Sequence, residues 1–216
     1  MTEAVIFDKI ENIGIIKVNN PPVNALSFSV RTGLLHILNK FELDNTIEAL
    51  VIIGEGRTFV AGADITEFGK PMREPSLNSV IDYFEKSNLP VVAALHGTPL
   101  GGGLELAMGC NYRVALSSTL LGLPEVKLGI IPGGGGTQRL PRLIGPENAL
   151  KIITSGNPIK ADLALDYGLI DKIITENLLN EAISFAKQIS KKNNHPLAKN
   201  LDAKMHTFDN SIFEKY

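Results

Sequence analysis

Tryptophan is absent from this sequence, and phenylalanine and tyrosine together make up only 6% of it. A base-stacking surface for single-stranded nucleic acid needs more aromatic area than that. Charge gives no electrostatic footprint for nucleic acid either, because 21 basic and 23 acidic residues are interspersed and leave a net charge of −2. The one cysteine, Cys110, has no partner for an internal disulfide and suits a reducing compartment. Four scattered histidines and that cysteine form no metal-ligand spacing, so no metal site is expected. No apolar run approaches the length of a membrane span, and no signal-peptide pattern opens the sequence; the expectation is a cytoplasmic protein. Phosphate-binding loops are missing too. There is no G-x-x-x-x-G-K-[ST], and Gly101-x-Gly103 lacks the third glycine of a dinucleotide fingerprint.

What is present describes an ordinary globule. An apolar content of 44% over 216 residues supports one domain with a substantial core, with two small domains as the alternative. Ala4 to Phe7 and Ile13 to Val18 read as a hairpin around a turn at Glu11-Asn12. Ser27 is placed to cap a helix whose apolar positions run from Val30 to Phe41 at helical spacing. Ala49 to Ile53, Val91 to Leu95, Tyr112 to Ala115 and Ile170 to Ile174 read as strands. Helices are expected over 79–87, after Gly136, and over 146–154, 160–167 and 178–192. Such alternation predicts an α/β fold. The tail from Lys191 is polar and aperiodic.

The stretch Leu89 to Cys110, LPVVAALHGTPLGGGLELAMGC, concentrates the signals of a site. A buried strand leads through three glycines into a run of helix formers. The first amides of that helix lack internal partners, and its start is electropositive. Glycines without side chains let a ligand approach the backbone, which suits a developing oxyanion. Glu105 stands in the first turn as a lone charge among apolar residues. A solvated charge at a helix N-terminus explains it as well as a chemical task does. The glycines likewise read either as a ligand loop or as a close helix–strand contact.

Leu123-Pro124-Glu125-Val126 sets a second glutamate in apolar surroundings. It is either an exposed loop acid or the partner of Glu105 in acid–base work around a water molecule. Ala63, expected to open a short helix after Gly62, offers an amide that could join that of Gly102; close packing explains it equally. His96 sits in the turn before the glycines and reads as structural.

Three motifs in order, AGADI at Ala61 to Ile65, GGGLELAMGC at Gly101 to Cys110 and LPEVKLGIIPGGGGTQRLPRLIG at Leu123 to Gly145, resemble the crotonase (enoyl-CoA hydratase/isomerase) family. With NPPVNAL at Asn20 to Leu26, the chain is most similar to the hydratase part of bifunctional enoyl-CoA hydratase/3-hydroxyacyl-CoA dehydrogenases. The resemblance runs to about Lys192. It implies a crotonase-like spiral of ββα units with C-terminal helices over residues 1–192, and leaves 193–216 as a C-terminal segment, helical or partly disordered. It implies hydration of trans-2-enoyl-CoA to 3-hydroxyacyl-CoA in fatty-acid β-oxidation, with coenzyme A as part of the substrate and no separate cofactor. Glu105 and Glu125 match the two catalytic glutamates, and the amides of Ala63 and Gly102 match the oxyanion hole. Val23, Ala25, Leu26, Ala61, Gly62, Asp64, Ile65, Gly101, Pro124 and Gly133 match positions around the acyl-CoA. Stand-alone relatives continue into further C-terminal helices, so the chain is expected to be a short variant or a piece of a longer enzyme. A homotrimer and a fusion to a dehydrogenase half are both compatible with the resemblance; nucleic-acid and membrane partners are not expected. The alternatives are a Δ3,Δ2-enoyl-CoA isomerase, which needs one carboxylate, and a non-catalytic acyl-CoA-binding module.

Overall fold

The apolar runs of the sequence become strands buried on both faces. In the computed structural model, which describes residues 3–206 with 208, 209 and 211, six strands form one sheet in the order β1 (Val5–Ile10), β2 (Ile13–Val18), β3 (Ala49–Gly54), β4 (Val91–Leu95), β5 (Tyr112–Leu116), β8 (Lys172–Ile174). β1 and β2 are an antiparallel hairpin, and every later pairing is parallel. Parallel strands need crossovers; their helices lie on one face of the sheet, and the helix that follows the last strand covers the other.

Alternate residues therefore serve two cores. Ile16, Val18, Leu50, Ile52, Val91, Ala93 and Leu95 point into the larger one. It also contains α1 (Phe28–Glu42), α2 (Leu77–Lys86), α3 (Gly102–Gly109), α4 (Gly136–Ile144) and α5 (Pro146–Ser155). Ile13, Ile15, Val51, Val92, Ala94 and Val114 point the other way, against α7 (Leu178–Ile189). The remaining pieces are β6 (Leu120–Leu121), paired with β7 (Ile159–Lys160), and α6 (Ala161–Tyr167).

Between each long strand and its helix the chain makes one short parallel contact. Leu26 bridges to Ala63, and Leu100 bridges to Gly122. β2, β3 and β4 each therefore begin a unit of strand, short extended contact and helix, stacked turn upon turn as a spiral. That is the ββα arrangement expected, and it brings the starts of successive crossovers side by side.

Several expectations are corrected in detail. Ala63 does not open a helix. It is extended, and a 3₁₀ turn begins two residues later at Ile65, because the Asp64 carboxylate accepts from the Thr66 amide at 3.0 Å and caps it. Glu125 lies in a 3₁₀ turn, Glu125–Leu128, and is buried rather than an exposed loop acid. α2 begins at Leu77, two residues early, since Ser76 accepts from the Ser79 amide. Of the polar tail, 198–200 and 203–206 form 3₁₀ turns, with Ala198 buried. Residues 207, 210 and 212–216 lie outside those described.

Candidate active site

α3 is the element that positions the site, and it is buried along its whole length. Its entry needs glycine twice. A side chain on Gly103 would begin 2.0 Å from the Val60 carbonyl oxygen, and Gly101 has φ of 51°. The Ala63 amide nitrogen lies 3.3 Å from the point where a side chain on Gly102 would begin. Ala63 is exposed and Gly102 is buried, so the Ala63 amide lies at the edge of the entry to α3. Neither amide has a protein acceptor among the described residues. The bridge to Leu26 bonds the Leu26 amide to the Gly62 carbonyl and does not use the Ala63 N–H, and the Gly102 N–H belongs to the unpaired first turn of α3. Two unpaired donors on neighbouring segments are the equipment of an oxyanion site.

Glu105, in the first turn of α3, is 2% exposed. Its Oε1 accepts from the Gly136 amide at 2.8 Å. Burial pushes its carboxyl up to about 7. The Gly136 amide opposes that rise, the nearby Glu125 charge adds to it, and the Gly134 amide and Arg139 oppose it again. Glu125 is also buried, and burial raises its carboxyl as well. Its Oε1 lies 3.0 Å from where a side chain on Gly101 would begin, and its Oε2 has no hydrogen-bond partner among the described residues. Since Gly101 O accepts from the Glu105 amide at 2.9 Å, the two carboxyl groups flank the start of one helix. Two acids of raised pKa beside a pair of free amides can hold a water, take a proton from it and return one.

A cleft of about 110 Å³ opens over the two amides and Glu125, while Glu105 lies beneath it and lines neither this cleft nor its neighbour. Of the residues singled out from sequence, Ala61, Gly62, Ala63, Ile65, Gly101, Gly102, Pro124 and Glu125 line it. Asp64 lines an adjoining cleft of about 390 Å³ that also carries Lys70 and Arg73, and Ala63 and Phe68 belong to both. Leu26 is a core residue, 1% exposed, lying under Gly102. Val23 and Ala25 contribute backbone, accepting from the Ala61 amide and the Asn20 side chain. Gly133 is exposed, and its carbonyl accepts from Asn78 at 3.1 Å. Neither cleft is lined by Gly133. His96 is tied to the Gly54 carbonyl at 3.1 Å, as a structural residue would be.

Sequence reasoning missed several residues that shape the site. Phe68, Leu128 and Ile130 complete the cleft wall, yet each stands at or beside a short 3₁₀ turn without apolar periodicity. Asn24, buried with φ of 56°, ties the first crossover to the Glu55, Thr58 and Phe59 carbonyls. Arg31 collects the Leu26, Arg73 and Pro75 carbonyls and the Glu67 carboxylate, fixing the loop beside the larger cleft. A lone basic residue on the apolar face of α1 was the available signal. The amides of Gly134 and Gly136 turn toward Glu105 from a glycine run that sequence assigns only to a helix entry.

Fold and site together define an α/β spiral with a two-amide, two-carboxylate centre, and the chain belongs to the enoyl-CoA hydratase/isomerase family, whose sequence model matches residues 8–215. It is 48% identical over 179 residues to the "peroxisomal bifunctional enzyme" of Pongo abelii, covering 82% of this chain and 25% of that protein. To a protein of Bacillus subtilis named "probable enoyl-CoA hydratase" it is 39% identical over 213 residues, covering 93% and 83%. The crystal structure of enoyl-CoA hydratase from Bacillus anthracis superposes with a TM-score of 0.81 at 34% identity, covering 88% of this chain and 77% of that one. The chain thus spans about a quarter of the length of the bifunctional relatives it matches. Among the described residues, no helix is long and apolar enough to cross a membrane.

Proposed function

We propose that this chain adds water reversibly across the C2=C3 bond of a trans-2-enoyl-CoA, giving a 3-hydroxyacyl-CoA. The observation that carries the reading is the pair of unpartnered amides, Ala63 and Gly102, beside two buried carboxyl groups. Water attack at C3 pushes the double-bond electrons toward the thioester oxygen, and the two N–H groups would stabilise the resulting enolate. One such donor contributes about 3–4 kcal/mol in comparable sites. Glu105 takes the proton from the attacking water. Glu125 delivers a proton to C2, and one water is thereby added in full.

An isomerase reading needs the same two amides but only one carboxyl group, so the second buried acid favours hydration. Intact Glu105 and Glu125 weigh against a purely binding module. The reading needs no cofactor beyond the coenzyme A of the substrate. We take 1–192 as the catalytic domain and 193–216 as an appended segment. In a longer bifunctional protein the domain would supply the hydratase half. The buried, unpaired Cys110 supports a reducing compartment such as the cytoplasm. Incubation with a trans-2-enoyl-CoA and excess NAD tests the proposal. Mass spectrometry should show the addition of one water and no 3-ketoacyl product, and NADH should form only after a separate 3-hydroxyacyl-CoA dehydrogenase is added. NADH without that enzyme, or none with it, contradicts the reading.

A further inference from the structure

Behind the catalytic helix lies a buried ionic cluster that the proposed chemistry does not use. Glu85 on α2 has a side chain only 1% exposed. Its Oε1 accepts from Arg139 Nε at 2.8 Å, and Lys199 of the C-terminal 3₁₀ turn lies 3.0 Å from its Oε2. A buried carboxylate with two cations is costly to desolvate and earns little net stability, so its place in the fold calls for another account. The free arm of Arg139 supplies one. Nη1 donates to the Gly134 carbonyl at 3.0 Å.

The turn from Gly134 to Gly136 is pressed between that guanidinium and Glu105. A side chain on Gly135 would begin 2.0 Å from Arg139 Nη1, and Gly135 has φ of 89°. On the other side, side chains on Gly134 and Gly136 would begin 2.7 and 2.9 Å from the two Glu105 oxygens. The Gly136 amide donates to Glu105 at 2.8 Å. A three-glycine turn has no side chains to fix itself, so its geometry comes from what holds its carbonyls.

We propose that Arg139, held by Glu85 and Lys199, is a positioning residue: it clamps the Gly134–Gly136 turn so that the turn's amides orient the Glu105 carboxylate toward the water. The inference rests on the hydratase reading for its catalytic consequence, but the clamp itself is a property of the turn. The charged groups facing Glu105 are Glu125 from the neighbouring 3₁₀ turn, Arg139 from α4 and Glu85 from α2 behind it. Arg113 of β5 binds the far end of α3 at the Cys110 carbonyl. Arg139 opposes the rise of the Glu105 carboxyl. Its loss should therefore both loosen the carboxylate and make it harder to ionise.

The test compares the parent with Arg139→Gln and Arg139→Lys for crotonyl-CoA hydration across pH, alongside thermal unfolding. Arg139→Gln should lower kcat by roughly tenfold or more, as misplacement of a reacting group does, with KM changed less than about threefold. The acid limb of its kcat profile should move to higher pH. Arg139→Lys keeps the charge but cannot reach Glu85 and Gly134 together, so its limb should stay near the parental pH while kcat remains several-fold low. A folded Arg139→Gln with parental kcat and an unmoved limb overturns the proposal. If that variant does not fold, parental kcat in Arg139→Lys overturns it. Carboxyl ¹³C titration of Glu105, assigned by its loss in Glu105→Gln, reads the clamp without turnover. A parent that fails to hydrate while Arg139→Gln still shifts this titration upward refutes the hydratase reading and leaves the clamp standing; an unshifted titration sinks the clamp alone.

Discussion

At the scale of single residues, the site is marked by a cost the fold carries. Glu105 is almost wholly buried, and its carboxyl is raised to about 7 from an ordinary 4.5. A raised acid favours the folded state least when ionised. The penalty is absent below the unfolded value of 4.5, grows as pH rises, and is complete above about 7. At about 1.4 kcal/mol per unit, ionisation costs on the order of 3 kcal/mol. Glu105→Gln keeps an oxygen for the Gly136 amide and removes the charge. Its melting temperature relative to the parent should therefore rise between pH 4.5 and 8.5, and a difference that stays constant across that range would show that Glu105 ionises freely. Sequence made both glutamates conspicuous as charges in apolar windows. It did not reveal that Leu26 is core while Phe68 and Ile130 face the cleft. Exposure at a loop tip depends on what the rest of the spiral leaves uncovered.

At the scale of elements, α3 organises the site, because its first turn supplies both a donor and a carboxylate. Gly102→Pro removes the N–H at a position where a helix accepts proline, although the new ring must press on Leu77, whose Cδ2 lies 3.0 Å from the Cβ site. Turnover should fall by at least about 10²-fold, the scale of a lost oxyanion donor, while acyl-CoA affinity measured by calorimetry falls much less. Equal losses in both would assign Gly102 to packing. Most elements were legible from period and punctuation: the Ser27 cap, the apolar runs of β3 and β4, and the glycines leading into α3 and α4. Ala63 was not. A glycine followed by a small residue and an aspartate reads as a helix start, but Ala63 pairs with Leu26 across the spiral and stays extended. Long-range pairing of that kind leaves no local trace.

At the scale of the whole molecule, a sheet buried on both faces holds the crossover starts in register, so that amides from two turns of the spiral meet. β3 lies at its centre and sends Leu50 and Ile52 to one core, Val51 and Ile53 to the other. Ile52 is fully buried. Ile52→Ala should cost about 2–5 kcal/mol, or roughly 4–20 °C in melting temperature for a chain of this size. The kcat of the folded fraction should hold, and a large loss of kcat at unchanged stability would mean that the core tunes the site directly. Parallel runs and alternating helices made the α/β class readable, but not which turns of the spiral stack. The central claim is that two carboxyl groups and two amides make this spiral a hydratase, and loss of the conjugated thioester absorbance of crotonyl-CoA tests it most directly. The parent should hydrate it, and Glu105→Gln and Glu125→Gln should each be slower by at least about 10²-fold while remaining folded, the scale of a lost acid–base group. An inert parent, or either variant near the parental rate, would contradict the account.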